Sequence, residues 1–246
     1  MCEVLVAAYE VPRPFHQLAP SVVRLEQFGL GGFGWGVAWL DDASGEVRAV
    51  RGLHRFADEG REAAELATLE SRRFLVHLRR PSRLSTIQMA DTQPFLDGTA
   101  SAWCHNGFFT RAEQLRPGLG DRLGGQADSE VGWRSFLDHM KAGRDARSAF
   151  QAVAAALGGR ANLAFLGAPG ELSVYAGNEA NRMWRYTLDG GTVVSTGLHS
   201  DDASLFDLVA TRAVDRERLE LGTSLCVAEP PVPVPAVAQV PVPAVG

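Results

Sequence analysis

Cysteine is scarce in this chain: Cys2, Cys104 and Cys226 are the only three, and they fall in no CxxC or Cys/His ligand spacing. An odd, scattered set of thiols builds neither a disulfide framework nor a zinc site. The histidines His16, His54, His77, His105, His139 and His199 are equally dispersed. Each reads as structural or solvent-facing, and nothing points to a metal or an organic cofactor. Positive charge is not in excess either. A net charge of -5 leaves no broad basic surface to neutralise phosphates, which argues against nucleic acid as a partner. Apolar runs long enough to cross a bilayer are missing, and the opening Met-Cys-Glu-Val-Leu-Val is not a basic region leading into a long apolar segment. The expectation is a soluble, cytoplasmic protein with no membrane partner.

What remains is a chain of 246 residues, 46% hydrophobic and 22% charged, enough to bury the core of one domain. That domain is expected over residues 2–228. Beyond it the composition turns to Pro and Val, and residues 229–246 read as a disordered or polyproline-like tail.

Within the domain, residues 3–10, 36–40, 46–51 and 74–79 are β-prone and bounded by turn formers. Between them, Ala63, Leu66 and Leu69 recur at helical spacing, which predicts a helix over 61–73 capped by Asp58 and covering a sheet. Trp133, Phe136, Leu137 and Met140 mark a second helix, and Phe150, Val153, Ala154 and Leu157 a third, capped by Asp145 and stopped at Gly158-Gly159. Hairpins follow, 162–166 with 172–175 around Gly167 to Gly170, and 183–188 with 192–196 around Gly190-Gly191. Strands, a helical pair and more hairpins imply antiparallel sheets with helices stacked on them, an α+β layered domain.

Four places could carry chemistry. Cys2 directly follows the initiator Met, so removal of Met1 would put a thiol and a free α-amine on one residue. An amine with a reference pKa near about 7.7–8.0 can take the thiol proton without a histidine; the plain alternative is a small buried residue opening a strand. Asn106-Gly107 reads either as a tight turn or as an oxyanion hole built from a side-chain amide and a main-chain N–H. Arg79, in His-Leu-Arg-Arg-Pro-Ser, could clamp a carboxylate by two parallel hydrogen bonds or be one of a solvated pair. Asp128, in Gly-Gln-Ala-Asp-Ser-Glu, could present a carboxylate to an ammonium group, or Asp128 or Ser129 could only cap the helix that follows.

Taken in this order, with Gly34-Trp35-Gly36 between the first two along the chain, these segments resemble the class II glutamine amidotransferase domain, an N-terminal-nucleophile hydrolase. The motifs run from Met1 to about Trp133, and the element order continues the likeness to about Glu229. Short free-standing members, similar to the γ-glutamyl amidohydrolase of ergothioneine biosynthesis, also carry a segment like Gln93-Pro94-Phe95, here taken as structural. Phe33 stands where such members often place an Asp, and Arg80-Pro81 is an unusual continuation.

The resemblance implies a four-layer αββα sandwich of antiparallel sheets. It assigns Cys2 as nucleophile, Asn106 and Gly107 as the oxyanion hole, Arg79 as the holder of the substrate α-carboxylate, Asp128 as the holder of the α-ammonium, and Ser82 as a hydroxyl near the carboxylate. The implied substrate is glutamine or a γ-glutamyl conjugate, cleaved through a thioester. The resemblance leaves three outcomes open: ammonia supplied to a separate ammonia-accepting synthase, for which this chain has no room, a stand-alone glutaminase, or cleavage of another γ-glutamyl amide. A second class of function keeps the fold without turnover: an inactive binding module that holds an amino acid or a partner protein.

Overall fold

The computed structural model describes residues 2–29, 31–60 and 63–230. The chain opens with strand β1 (Glu3–Pro14), helix α1 (Phe15–Phe28), β2 (Trp35–Leu40), β3 (Val47–Gly52), the short helix α2 (Ala64–Ala67) and β4 (Glu70–Leu78). It continues through β5 (Phe95–Asp97), β6 (Ser101–Phe108), α3 (Ala112–Leu119), α4 (Asp128–Lys141) and α5 (Ala146–Leu157). Strands β7 (Arg160–Gly167), β8 (Glu171–Gly177), β9 (Met183–Leu188) and β10 (Gly191–Thr196) follow, and α6 (Ala203–Val209), β11 (Val214–Arg218) and β12 (Thr223–Ala228) close the described chain.

The strands form two sheets, one of seven in the order β11-β9-β10-β1-β4-β2-β3 and one of five in the order β12-β8-β7-β6-β5. Neighbours pair antiparallel. Period-two alternation sorts the side chains into three apolar layers. On β1, Leu5, Ala7 and Tyr9 join Phe15, Leu18, Val22 and Leu25 of α1 and Phe206 of α6. Val4, Val6 and Ala8 point the other way, into a layer of mostly small residues that includes Ala102, Cys104, Ala164 and Val174 of the second sheet. Trp103, Leu163 and Phe165 leave the far face of that sheet to meet Trp133, Phe136 and Phe150 of α4 and α5. The result is helix, sheet, sheet, helix: the expected αββα sandwich. Among the described residues no helix is long and apolar enough to cross a membrane.

Both predicted hairpins form with the expected partners. The Asp145 side chain accepts the Ser148 N–H and caps α5, as its position suggested. The helix predicted over 61–73 does not form. Only Ala64–Ala67 is helical, the turn at Phe56–Gly60 is a π-helix, and β4 already begins at Glu70. Pairing of β4 with both β1 and β2 satisfies more backbone groups than an isolated surface helix could, and Leu66 and Leu69 still reach the core from a short turn. Arg61 and Glu62, at the predicted start, lie outside the described residues, as does 231–246, nearly all of the predicted tail.

Helix α1 forms where the sequence pattern predicts no element. Phe15, Leu18, Val22 and Leu25 bury one stripe of it, although Pro20 sits inside and removes an N–H.

Candidate active site

Cys2 lies just ahead of β1, at the end of the sheet where β1, β4 and β2 run side by side. Its Sγ accepts the Arg80 N–H at 3.4 Å and lies 3.7 Å from the Arg80 carbonyl oxygen. Burial pushes the Cys2 thiol up from its ordinary value, against the opposing pull of the Arg80 N–H and the Arg79 guanidinium. A thiol so placed needs a base before it can attack.

Asn106 and Gly107 are not a turn. Both lie inside β6, opposite Asn162 and Ala161 of β7. The Asn106 amide donates through Nδ2 to the Cys2 carbonyl oxygen, while its Oδ1 accepts from Asn162 Nδ2 at 2.8 Å and from Asn178 Nδ2 at 3.1 Å. Gly107 has a φ of 145°, and a Cβ there would overlap the Arg160 carbonyl oxygen, so only glycine fits.

Arg79 follows the last residue of β4, its N–H held at 2.7 Å by the Gly34 carbonyl of the Gly-Trp-Gly segment. Its guanidinium is buried beneath the 80–92 loop. Nη2 donates to the Thr86 carbonyl and, at 2.9 Å, to Thr86 Oγ1; Nη1 reaches Thr92 Oγ1 at 3.3 Å and the Gln88 carbonyl at 3.4 Å. These four acceptors account for the terminal N–H groups. The residue therefore offers the site its charge and its Nε–H, and a two-pronged grip would require the loop to give way.

Asp128 is the first residue of α4, where a carboxylate is favoured by the helix dipole. Neither Asp128 nor Ser129 is the cap; Ala127 is, without a side-chain bond. Asp128 Oδ2 accepts the Phe109 N–H at 2.8 Å, and Oδ1 has no protein partner among the described residues. The preceding loop is pinned from two sides. Asp91 Oδ1 accepts the N–H groups of Gln126 and Ala127 at 2.8 and 2.7 Å, and the Glu130 carboxylate accepts those of Gly124 and Gly125 at 2.9 and 2.7 Å.

Cys2, Arg79, Ser82, Gly107 and Asp128 line one cavity of about 150 Å³, with Ser82 exposed at its rim. Asn106 lies behind the wall, fully buried, joined to the cavity through Cys2 and Gly107. The exposed Arg80 and Arg83 also face the cavity, and neither has a carboxylate within ion-pair distance among the described residues. Gln93 holds the backbone of His105 through both ends of its amide, at 2.6 and 3.3 Å, in keeping with a structural role. His105 places Nδ1 at 2.9 Å from Ser129 Oγ and stacks on Phe109; burial lowers its pKa, so it is a neutral wall of the site.

The sequence reading missed a buried polar cluster behind Cys2. Asn181 Nδ2 lies 3.4 Å from the Cys2 carbonyl oxygen, 2.9 Å from Glu3 Oε2 and 3.1 Å from His199 Nε2. Thr196 Oγ1 donates to the same Glu3 oxygen, and His199 Nε2 lies 3.2 Å from Glu3 Oε1. Two signals could have found it: a lone Asn162 in the apolar run Ala-Asn-Leu-Ala-Phe-Leu, and the Asn-rich turn Gly-Asn-Glu-Ala-Asn-Arg.

No protein-family model matches the sequence, and no curated protein matches it. Solved structures do. A glutamine phosphoribosylpyrophosphate amidotransferase from B. subtilis, complexed with ADP and GMP, superposes with a TM-score of 0.66 at 18% identity, over 92% of this chain and 49% of that one. A structure described as the allosteric regulatory enzyme of purine biosynthesis gives 0.67 at 17%, over 93% and 49%. A glutamine aminotransferase class-II domain protein from Silicibacter pomeroyi gives 0.52 at 18%, over 79% and 88%. This chain thus spans about half the length of the first two. At such identities the likeness shows a shared fold.

Proposed function

We propose that this chain, which has the N-terminal-nucleophile fold of class II glutamine amidotransferases, is an amidohydrolase that cleaves the γ-amide of glutamine or of a γ-glutamyl conjugate. One observation carries the reading: the Cys2 thiol opens into the same small cavity as Asp128, Arg79 and Gly107, and the Asn106 amide is aimed at the Cys2 main chain.

Cleavage of the peptide bond between Met1 and Cys2 would free the α-amine beside a thiol that burial keeps protonated. The amine takes the Sγ proton as Sγ attacks the γ-carbonyl carbon. The C=O electron pair moves onto oxygen, where the second Asn106 N–H and the Gly107 region would receive it. Collapse breaks the C–N bond, the amine passes its proton to the leaving nitrogen, and ammonia or an amine departs from a γ-glutamyl thioester. Water, deprotonated by the same α-amine, then attacks the thioester, releasing glutamate and restoring the thiol.

Asp128 Oδ1, which has no donor among the described residues, suits the substrate ammonium, and the charge and Nε–H of Arg79 suit its carboxylate. At about 150 Å³ the cavity is small against ligand sites of roughly 300–1,000 Å³. It fits a glutamyl group, with a larger leaving amine lying outside at the rim beside Arg80, Ser82 and Arg83.

Glutamate release from glutamine and from a series of γ-glutamyl amides tests the reading. Turnover by material whose mass shows Cys2 as the first residue, and none by material retaining Met1, is the expected result. Equal rates from both forms would overturn the α-amine mechanism, and no turnover with any γ-glutamyl amide would overturn the function.

A further inference from the structure

Behind the cavity, the orientation of one amide is fixed by a chain of bonds that begins at backbone N–H groups, whose role as donors is not in question. Asn162 Oδ1 lies 3.2 Å from the Gly177 nitrogen and 3.1 Å from the Asn178 nitrogen. Both are donors, so this atom of Asn162 must be the oxygen and its other end the NH2 group. That NH2 group points to the Asn181 carbonyl at 2.6 Å and to the Asn106 side chain at 2.8 Å. Asn178 is set in the same way. Its Oδ1 accepts the Ala180 N–H at 3.1 Å, which turns its NH2 group toward Asn106 Oδ1 at 3.1 Å and the Asn106 carbonyl at 3.4 Å.

Two donors therefore converge on one end of the Asn106 side chain. That end has to be the oxygen, and the NH2 group is turned toward Cys2. All three residues are completely buried, so no bulk water is available to satisfy a flipped amide.

From this we infer that Asn162 and Asn178 are positioning residues for the proposed hydrolysis: they lock Asn106 with its N–H donors toward the nucleophile and spare the oxyanion hole any reorientation during attack. The inference rests on the amidohydrolase reading above. Preorganisation of this kind matters because an Asn amide rotated by half a turn presents an oxygen, and hence repulsion, to a developing oxyanion.

The test is Asn178→Asp, which keeps the shape, retains an acceptor for the Ala180 N–H, and replaces the donor facing Asn106 by an oxygen that favours the flipped amide. With the γ-glutamyl amide that the wild type cleaves fastest, kcat should fall about a hundredfold while KM changes less than about threefold, in the range seen when an oxyanion donor is lost. Alkylation of the Cys2 thiol by iodoacetamide, which displaces iodide at a saturated carbon and needs no oxyanion hole, should stay within about threefold of wild type. In an Asn106→Ala background the same substitution should cost nothing further, because the amide it misdirects is gone.

Independent, multiplying losses from Asn106→Ala and Asn178→Asp would overturn the inference, as would a wild-type kcat in Asn178→Asp. Should Asn178→Asp fail to fold, Asn162→Asp tests the other donor by the same criteria. Absence of wild-type turnover of glutamine and of every γ-glutamyl amide, with Cys2 still alkylated, would instead bring down the amidohydrolase reading and this inference with it.

Discussion

The two faces of the five-stranded sheet are built on different terms. The face toward α4 and α5 is a tight aromatic layer in which Trp103, Trp133, Phe136, Phe150 and Phe165 pack with ring centroids 5.1 to 6.2 Å apart. The face toward the other sheet is small and aliphatic over most of its length, then becomes polar at the Cys2 end, where the fully buried Asn106 and Asn162 join Asn178 and Asn181 of the turn after β8 and, from the seven-stranded sheet, Glu3 and Thr196. The first face offers stability through area removed from water. The second carries a cluster that costs desolvation and returns orientation. Damage to the aromatic face should show in stability, and damage to the polar end in chemistry.

The largest expected effect lies at the polar end. Cys2→Ala should abolish glutamate release while leaving the thermal midpoint near wild type, since only one sulfur is lost. Next, Asn106→Ala should slow turnover roughly a hundred- to a thousandfold, measured as kcat on glutamine. On the aromatic face, Phe136→Ala should cost about 3–5 kcal/mol in denaturant unfolding, yet leave kcat per folded molecule unchanged.

A pH effect sharpens the contrast. His77, on β4 and facing the gap between the sheets beside Leu75, is buried, and neither ring nitrogen has a hydrogen-bond partner among the described residues. Burial, helped by the nearby Arg79 charge, pulls its pKa down to about 3 from an ordinary 6.5. The unfolded chain takes up a proton as pH falls through about 6.5 and the folded one does not, so folding stability should drop by up to about 1.4 kcal/mol per pH unit between about pH 6.5 and 3. His77→Met should flatten that slope in urea titrations at pH 7, 6 and 5. The smallest effect is expected far from both faces: Asp145→Ala, which removes the cap of α5, should cost about 1 kcal/mol and no activity.

Much of this architecture could be read from the sequence because the short β-prone apolar runs of β1, β7 and β10, bounded by turn formers, and the apolar stripes of α4 and α5 are local signals. Helix α1 escaped because Pro20 interrupts an otherwise regular stripe. The false helix over 61–73 arose from a stripe that was real over Ala63 to Leu69 but was overruled where β4 found two strand partners. For the site, Cys2, Asn106-Gly107 and Asp128 stood out as residue types in an order along the chain. The cluster behind Cys2 did not: Asn162 meets Asn106 only through the register of β7 on β6, and Asn178 and Asn181 arrive from a turn that follows β8. Those pairings are long-range, and no spacing within a segment announces them.

The central claim is that Cys2 is the nucleophile. Intact mass of the purified protein before and after 6-diazo-5-oxo-norleucine, with Cys2→Ala alongside, tests it most directly. The account predicts loss of Met1 and one covalent adduct that vanishes in Cys2→Ala. An adduct that persists in Cys2→Ala, or none at all on protein that begins at Cys2, would contradict it.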